Sequence, residues 1–271
     1  MISTSDLVAK IEAQSPRVSV TRGPLGDGAE ERLVVEGDIG LTPAQVLPYA
    51  ARRIEIARAL EDDPDAEKQG LLGIERDGKL LRWRRGMTLT YCVWRPSFGS
   101  DDEHAAAVKG MRAATSDWSA ICGVEFEHVA QHDHAAALSD DVSFPVVRQA
   151  GGGTLIAMAF FPDDPPPQRF VSVFDGFFSS QPNAFDPIGV MRHELGHVLG
   201  FRHEHIRPEA PDLFDPESLD HTMAITDYDP TSVMHYVAAG VGDPKLRFTE
   251  RDKAGARLVY GGPDSEFTFA D

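Results

Sequence analysis

The stretch MRHELGHVLGFRHEH, residues 191–205, sets four histidines and two glutamates among apolar side chains. Asp186 and Pro187 precede it, and this pair is typical of the first residues of a helix. Gly200 is typical of a helix end, because glycine readily adopts the left-handed turn that closes a helix. The sequence therefore predicts a helix over residues 187–199.

The apolar and the polar residues of this predicted helix separate onto two sides. His193 and His197 are four residues apart, so their imidazoles lie one turn apart on one side. The opposite stripe is apolar and can pack on a sheet. It consists of Ile188, Met191, Leu195, Val198 and Leu199. The histidines would then face a cleft, whereas the alternative is a solvated helix face without a ligand.

The spacing of the histidines favours a metal site over a solvated face. His193, Glu194 and His197 form the pattern H-E-x-x-H, and the turn at Gly200 can bring His203 back to the same ion. Three neutral imidazoles suit one tetrahedral zinc ion and leave a fourth position for water. Glu194 lies near enough to take a proton from that water. We therefore predict one catalytic zinc ion.

Two motifs together resemble a known family. HELGHVLGFRHE at 193–204 and SVMHY at 232–236 are similar to the astacin family of the metzincin metallopeptidases. The resemblance implies that Glu194 is the general base and that Tyr236 stabilises the oxyanion. It also implies a methionine turn at Met234 and an anchor for a freed N-terminus at Glu204. The zinc ligands that it implies are His193, His197 and His203.

The resemblance implies an α+β metzincin fold for roughly residues 83–262. Its upper subdomain is expected to hold a mixed twisted sheet and two long helices, and its lower subdomain to be less regular and to end in a helix. Strand patterns occur at 87–94, 123–129 and twice between 151 and 178, with a long helix after Ser100. The last helix is expected in FTERDKAGARLVYG, residues 248–261.

A substrate strand is expected in GGGTLIAMAFFP, residues 151–162, which resembles the matrixins in this part. Their equivalent edge strand binds extended peptides, and such a strand can pair with substrate backbone to backbone. An ordinary core strand is an equally good interpretation. Because Met158 stands where matrixins carry a structural-zinc histidine, no second zinc is expected there. The residues concerned are Leu155, Ile156, Ala157, Met158 and Ala159.

A latch is predicted upstream, in VEGDI at 35–39. Alone this is a turn, but astacin proenzymes carry a similar segment whose aspartate occupies the open zinc position. By this resemblance Asp38 is the zinc ligand of a latent state. Residues 1–82 would then be a propeptide and 83–271 the catalytic domain, with cleavage near LLRWRRG at 80–86.

Composition excludes some other functions. The net charge of −17 and the absence of a sustained basic stripe argue against nucleic-acid binding. No run approaches the ~18 apolar residues of a membrane span, and no signal peptide is visible in this chain, although the resemblance implies an extracellular location. Cys92 and Cys122 are expected to be free thiols. A monomer is expected.

The predicted function is a zinc-dependent endopeptidase that is made as a latent proenzyme and acts on proteins or peptides. One alternative is a matrixin-like protease with the same ligands. Another is a masked zinc-binding interaction protein without activity. Intact Glu194 and Tyr236 favour the enzyme, since a binding module needs neither a base nor an oxyanion partner.

Overall fold

The structure is a computed structural model of an α+β chain. It describes residues 3–20, 30–35, 38–47, 49–51, 71–76, 78–150, 155–180, 185–211, 222–238 and 240–263.

The regular elements are helices and mostly short strands. The helices are α1 (Thr4–Gln14), α2 (Asp101–Ile121), α3 (Pro187–Val198) and α4 (Glu250–Tyr260), and residues 43–47 and 49–51 are also helical. The strands of the first part are β1 (Arg17–Val20), β2 (Glu30–Val35), β3 (Ile39–Leu41), β4 (Leu72–Arg76) and β5 (Lys79–Leu80). Those that follow are β6 (Thr88–Val93), β7 (Glu125–His128), β8 (Phe144–Arg148), β9 (Ala157–Met158), β10 (Val171–Val173) and β11 (Thr222–Ala224). Short 3₁₀ turns cover Arg95–Ser97, Ala130–His132, Pro166–Gln168 and Asp175–Phe178.

The central sheet has five strands in the order β7-β6-β8-β10-β9. β6 runs parallel to β7 and β8, β10 runs parallel to β8, and the edge strand β9 is antiparallel to β10. The predicted mixed sheet is therefore confirmed. Because β6 lies between two strands and is covered on both faces, Tyr91, Cys92 and Val93 are all buried.

The two long helices pack on each other and against this sheet. The Ser100 side chain caps α2 by accepting from the Glu103 N–H, as the sequence predicts. Met111 and Trp118 lie on the buried face of α2, and Trp118 Nε1 donates to Arg192 O at 3.0 Å. This hydrogen bond ties α2 to the helix that carries the predicted metal ligands.

Two strand predictions need correction. β8 was not predicted, and in 155–162, the described part of 151–162, the expected strand is only the two residues of β9; residues 151–154 lie outside the described residues. Pro145 has no N–H and argues locally against a central strand. Its neighbours on both sides nevertheless fix it in register, with Cys92 opposite Pro145 and Val171 opposite Val146. Long-range pairing thus overrides the local pattern here.

The second sheet lies beside α3, in the order β11-β4-β5. Leu72, Gly73 and Ile74 of β4 pair antiparallel with β11. On its other side β4 contacts the turn after α3, since Ile74 N donates to Gly200 O at 3.0 Å and Arg202 N donates to Leu72 O at 2.8 Å. Residues 71–76 are therefore built into the lower part of the molecule.

The third sheet, β1-β2-β3, packs on one face of the central sheet, at β8 and β9. The contact between this sheet and the central sheet is apolar. The side chains that meet there are Val18, Val20 and Val34 on one side and Trp94, Val147, Leu155, Met158, Phe170 and Phe174 on the other. We call β1, β2 and β3 the N-terminal sheet.

Cys92 and Cys122 are buried free thiols, as predicted. Burial raises the pKa of each to about 12, so neither is a reactive thiolate at neutral pH. In the described part of the chain, no helix is long and apolar enough to cross a membrane.

Candidate metal centre

Three histidines converge at the end of α3. Its residues His193 and His197 point their Nε2 atoms at His203 Nε2, at 3.2 and 3.1 Å. Gly200, with φ of 91°, reverses the chain after the helix and returns His203 to its face. All three imidazoles are buried. The predicted ligands are thus brought together.

The other ring nitrogen of two histidines is held by a backbone carbonyl. His193 Nδ1 donates to Val233 O at 2.8 Å, and His197 Nδ1 donates to Phe201 O at 2.9 Å. These bonds place the proton on Nδ1 and leave the Nε2 lone pairs facing the centre, which is the arrangement that metal ligands need. Burial lowers the pKa of His197 to about 4, so this ring is neutral at neutral pH.

The fourth member of the cluster is Asp38, which lies in the turn between β2 and β3. Its Oδ2 is 3.1 Å from His203 Nε2 and 3.3 Å from His193 Nε2, and its Oδ1 is 3.7 Å from His197 Nε2. Burial acts to raise the pKa of Asp38, but its interactions with His203, His193 and His197 bring it well below its usual value. This carboxylate faces the histidines in ionised form.

The cluster fits a zinc ion. Four ligands at about 2.0–2.1 Å from a tetrahedral zinc stand roughly 3.3 Å apart. Here the nitrogen and oxygen atoms of the four residues lie 3.1–3.7 Å apart across the contacts above, and one ligand atom from each residue falls within 4.8 Å of the others. Neutral imidazoles and a carboxylate are ordinary zinc ligands.

Glu194 lies beside the cluster. Its side chain is buried and lines a cavity together with His193 and Tyr236. Among the described residues, Glu194 Oε2 has no hydrogen-bond partner. Burial raises the pKa of Glu194 well above its usual value, and the negative charge of Asp38 raises it further. A buried carboxylate oxygen without a partner among the described residues is costly to a fold, so it points to a chemical role.

Tyr236 closes the other side of the cluster. The centre of its ring is 4.6 Å from that of His203 and 4.1 Å from that of His205, on which it stacks. Tyr236 is half-buried and borders the same cavity as Glu194. The phenol is therefore positioned next to the ligands while part of it contacts solvent.

Met234 lies fully buried beneath α3. The helix approaches it at Gly196, where an added Cβ would collide with Met234 Sδ. Met234 O also accepts a hydrogen bond from Glu204 N at 2.9 Å. The turn at Ser232–Tyr236 is thus fixed against both segments that carry the histidines.

Asp252, which was not predicted from the sequence, fixes this turn from the side of α4. Its buried carboxylate accepts from Ser232 Oγ at 2.5 Å and from Val233 N at 2.9 Å. Thr249 and Asp252 form a capping box at the start of α4, and this pattern in TERD was the available signal. Val233 O in turn accepts the hydrogen bond from His193 Nδ1. Asp252 therefore supports a predicted metal ligand through the backbone of Val233.

Replacing Asp252 by alanine should destabilise the protein and weaken metal binding. The change leaves the buried Ser232 hydroxyl and Val233 N–H without an acceptor, at about 1–3 kcal/mol each. We expect the melting temperature to fall by roughly 4–24 °C, given ~2–4 °C per kcal/mol for chains of this size. Zinc affinity should fall by about 10–100-fold, as for other residues that orient ligands.

The matched control for this prediction is Glu250→Ala, which removes an exposed carboxylate from the same turn of α4. Glu250→Ala should change neither the melting temperature nor the zinc affinity measurably. If Asp252→Ala melts within 2 °C of the parent in a calorimeter and titrates zinc with the parent's affinity, the support role of Asp252 is wrong.

Glu204 pairs with a side chain of its own segment. Arg207 Nε lies 2.8 Å from Glu204 Oε2, and both side chains are buried. Burial raises the pKa of Glu204, and the charge of Arg207 acts in the opposite direction. An anchored N-terminus would have to share this carboxylate with Arg207, and the anchor role of Glu204 stays a prediction.

The predicted substrate residues lie on the edge of the central sheet. Leu155, Ile156 and Ala157 line the cavity beside Glu194, whereas Met158 packs in the apolar contact with the N-terminal sheet, against Gly40. Ala159 is buried in the main core. The edge position is present, and the N-terminal sheet packs on the sheet face beside it; the substrate role stays a prediction.

No family model matches the sequence. Bone morphogenetic protein 1 of Xenopus laevis, an astacin-family metalloprotease, is 35% identical over 125 aligned residues, with 32% of this chain and 17% of the relative covered. The chain thus spans under a fifth of that relative's length. The structure of myroilysin aligns with a TM-score of 0.46 and 18% identity, over 66% of this chain and 95% of that one, a level that by itself identifies no function. Sequence similarity and the buried cluster together support an astacin-like metzincin, the family that the motifs predicted.

Proposed function

We propose that this chain is a zinc-dependent endopeptidase and that Asp38 holds it in a latent state. The observation that carries the proposal is the buried convergence of His193, His197, His203 and Asp38, with ligand atoms within 4.8 Å of one another. The similarity to an astacin-family metalloprotease supports peptide bonds as the substrate class.

The histidines would hold the ion, and zinc, when bound, supplies Lewis-acid activation of water and of the scissile carbonyl. Glu194 performs the proton transfers. Its Oε2 accepts a proton from the attacking water and then delivers it to the nitrogen of the leaving amine. The buried position of this oxygen, without a partner among the described residues, keeps it available for that exchange.

Tyr236 acts on the carbonyl oxygen. Its phenol donates a hydrogen bond as negative charge develops on that oxygen, which stabilises the transition state more than the ground state. The stack on His205 at 4.1 Å holds the ring in place before the reaction begins. In this proposal His205, which had no role in the sequence analysis, positions Tyr236.

The latch acts in two ways. Asp38 occupies the face of the cluster where a substrate carbonyl would bind, because its Oδ2 lies 3.1 Å from His203 and 3.3 Å from His193. The N-terminal sheet also packs through Val18, Val20 and Val34 on the face of the central sheet beside the edge strand, where it contacts Met158 of β9. A peptide that pairs with the β9 edge would lie next to the N-terminal sheet, and displacement of that sheet would ease its approach.

Replacing Asp38 by alanine should activate the intact, zinc-loaded chain. The carboxylate contributes a charge-assisted contact of about 1.5–3 kcal/mol, so its loss should raise cleavage of a short fluorogenic peptide by roughly 10–100-fold. Cleavage of casein should rise less, because the covering sheet remains packed on β9. A zinc chelator should abolish both activities.

Glu31→Ala is the control, since Glu31 lies exposed on the same hairpin and pairs with Arg17. It should leave the basal activity unchanged. Equal peptide cleavage by the parent and Asp38→Ala would overturn the latch, whereas zinc-loaded protein that cleaves nothing before or after limited proteolysis would overturn the peptidase.

A further inference from the structure

A hydrogen-bonded chain of side chains ends at the backbone of Tyr236. The Tyr228 hydroxyl lies 2.9 Å from His235 Nε2, and His235 Nδ1 lies 2.6 Å from the carbonyl oxygen of Tyr236. His235 is fully buried, whereas Tyr228 is half-buried. Two side chains outside the metal cluster are thus connected to the residue proposed above to stabilise the oxyanion.

The direction of these hydrogen bonds follows from the chemistry of the groups. A carbonyl oxygen only accepts, so His235 Nδ1 carries the proton and donates to Tyr236 O. In a neutral ring Nε2 then has a lone pair, and the Tyr228 hydroxyl donates to it. Burial, and then the nearby carboxylates, raise the pKa of Tyr228 and keep its hydroxyl protonated. One placement of protons therefore satisfies both contacts.

The carbonyl group of Tyr236 is enclosed from a second side by Gly242. This glycine has φ of 79°, and an added Cβ would lie 2.6 Å from Tyr236 O and 2.7 Å from Val237 Cα. Gly242 N also donates to Pro230 O at 2.6 Å. Glycine admits this close approach of two backbone segments because it has no Cβ. The peptide group that follows Tyr236 is therefore held between His235 and Gly242.

The ring of Tyr236 stacks on His205, which His235 also contacts. The rings of His205 and Tyr236 are 4.1 Å apart and nearly parallel, and the rings of His205 and His235 meet edge to face at 6.2 Å. His235 therefore acts on Tyr236 in two ways, through the backbone and through the ring on which the phenol stacks.

The other end of the chain, Tyr228, starts from a fixed backbone. Tyr228 O accepts a hydrogen bond from Arg251 Nη1 of α4 at 3.2 Å. The next residue, Asp229, accepts from Thr231 N at 2.9 Å and from Ser232 N at 3.1 Å, which closes a turn. The Tyr228 hydroxyl thus reaches His235 from an anchored turn.

We propose that Tyr228 and His235 are positioning residues for Tyr236, which hold its phenol where it can stabilise the oxyanion. The inference rests on the proposed peptidase function. A donor of this kind must be held within about 0.5 Å and 10–20°, and a displacement of ~1 Å can cost on the order of 100-fold in rate. Tyr236 is half-buried and borders a cavity, so a fixed backbone is what limits the movement of its ring.

Tyr228→Phe tests the proposal, because it removes the hydroxyl and keeps the ring. In the zinc-loaded Asp38→Ala chain it should lower kcat for a fluorogenic peptide by about 10–100-fold and leave KM unchanged, since Tyr236 acts on the transition state. One zinc ion per chain should remain bound. The melting temperature should fall by no more than about 6 °C, the effect of one hydrogen bond.

A double-mutant cycle separates positioning of Tyr236 from general support of the fold. Tyr236→Phe alone should lower kcat by about 10²–10³-fold, the effect of one lost oxyanion donor. Tyr228→Phe added to Tyr236→Phe should change kcat by less than about twofold, since the phenol to be positioned is already gone. Tyr91→Phe is the matched control. It removes the hydroxyl of a buried tyrosine of β6 that is hydrogen-bonded to Thr115, and it should leave kcat unchanged.

Two replacements of His235 test the middle of the chain. Glutamine keeps a donor and an acceptor, whereas leucine keeps neither. His235→Gln should therefore have a kcat at least about tenfold above that of His235→Leu. Equal kcat values of these two variants, both of them folded and zinc-loaded, would contradict the role of the imidazole. Should His235→Leu lack a cooperative melt, the cycle with Tyr228→Phe alone provides the test.

The positioning role and the peptidase function fail in different ways. A kcat of Tyr228→Phe within about twofold of its parent overturns the positioning role, and so does an equal loss with and without the Tyr236 phenol. Either result leaves the peptidase intact. Full activity of Tyr236→Phe overturns the oxyanion assignment and the positioning role with it. Absence of hydrolysis of every peptide, by the Asp38→Ala chain and by its limited-proteolysis product, overturns the peptidase and both assignments.

Discussion

Glu194→Gln should reduce peptide hydrolysis by about 10²–10⁴-fold, the range that general acid–base catalysis contributes. Glutamine keeps the shape of the side chain and loses only the carboxylate that exchanges the proton. The comparison is best made in the activated Asp38→Ala background, with turnover of a fluorogenic peptide measured alongside zinc content. One zinc ion per chain should remain bound.

The structure separates a chemical role of Glu194 from a structural one. No hydrogen bond to Glu194 Oε2 exists among the described residues, and the side chain is buried. Removing a buried charge that lacks a partner costs no stability and can increase it. The melting temperature of Glu194→Gln should therefore equal or exceed that of the parent.

Two controls test whether any Glu→Gln change lowers activity and whether the protein only binds zinc. Glu125→Gln changes an exposed glutamate of β7 and should leave activity and melting temperature unchanged. If the protein acts only by binding zinc, the Asp38→Ala chain with Glu194 intact should also show no peptide hydrolysis. Activity of Glu194→Gln within tenfold of its parent would refute the assignment of the base.

The metal cluster was predictable because its determinants are local. The spacing of His193 and His197 on one helix, and the turn at Gly200 before His203, specify three positions within eleven residues. Helix geometry converts that spacing into a common direction. The helix itself ends at Val198, one residue before the predicted end, and its Asp186 cap is present.

The rest of the site depends on contacts between distant segments. Asp252 supports Val233 from nineteen residues away, and Leu246 reaches the cavity only because Gly189 admits a close approach of the chain. β8 contains Pro145 and gains its register from neighbouring strands. Hydrophobic periodicity contains no information on such pairings. Asp38 was found only through resemblance, since a turn of this composition is otherwise unremarkable.

The division of the chain at residue 82 stays a prediction, and we propose that the boundary lies before Leu71. Leu71, Leu72 and Ile74 are all buried, and Leu71 belongs to the main core cluster. Backbone hydrogen bonds join this segment to the turn that precedes His203, through Gly200 O and Arg202 N. A cut near residues 80–86 would separate these contacts from the catalytic part.

A chain of residues 71–271 should therefore fold, whereas one of residues 83–271 should not. Loss of three buried aliphatic side chains costs about 2–5 kcal/mol each, which together approaches the ~5–15 kcal/mol that stabilises a typical domain. The shorter chain also leaves Gly200 O and Arg202 N without the β4 partners that fix the return of His203 to the cluster. We expect a cooperative melt and zinc binding for the longer chain only.

Circular dichroism melts and zinc titrations of the two chains distinguish a boundary before Leu71 from one at residue 82. A third chain, 71–271 with Ile74→Ala, should lie between them, with a melting temperature lowered by about 4–20 °C relative to 71–271. Lys79→Ala in the same chain, at an exposed position of β5, should match the parent. Equal stability and zinc affinity of 83–271 and 71–271 would return the boundary to residue 82 and make β4 part of the removable segment.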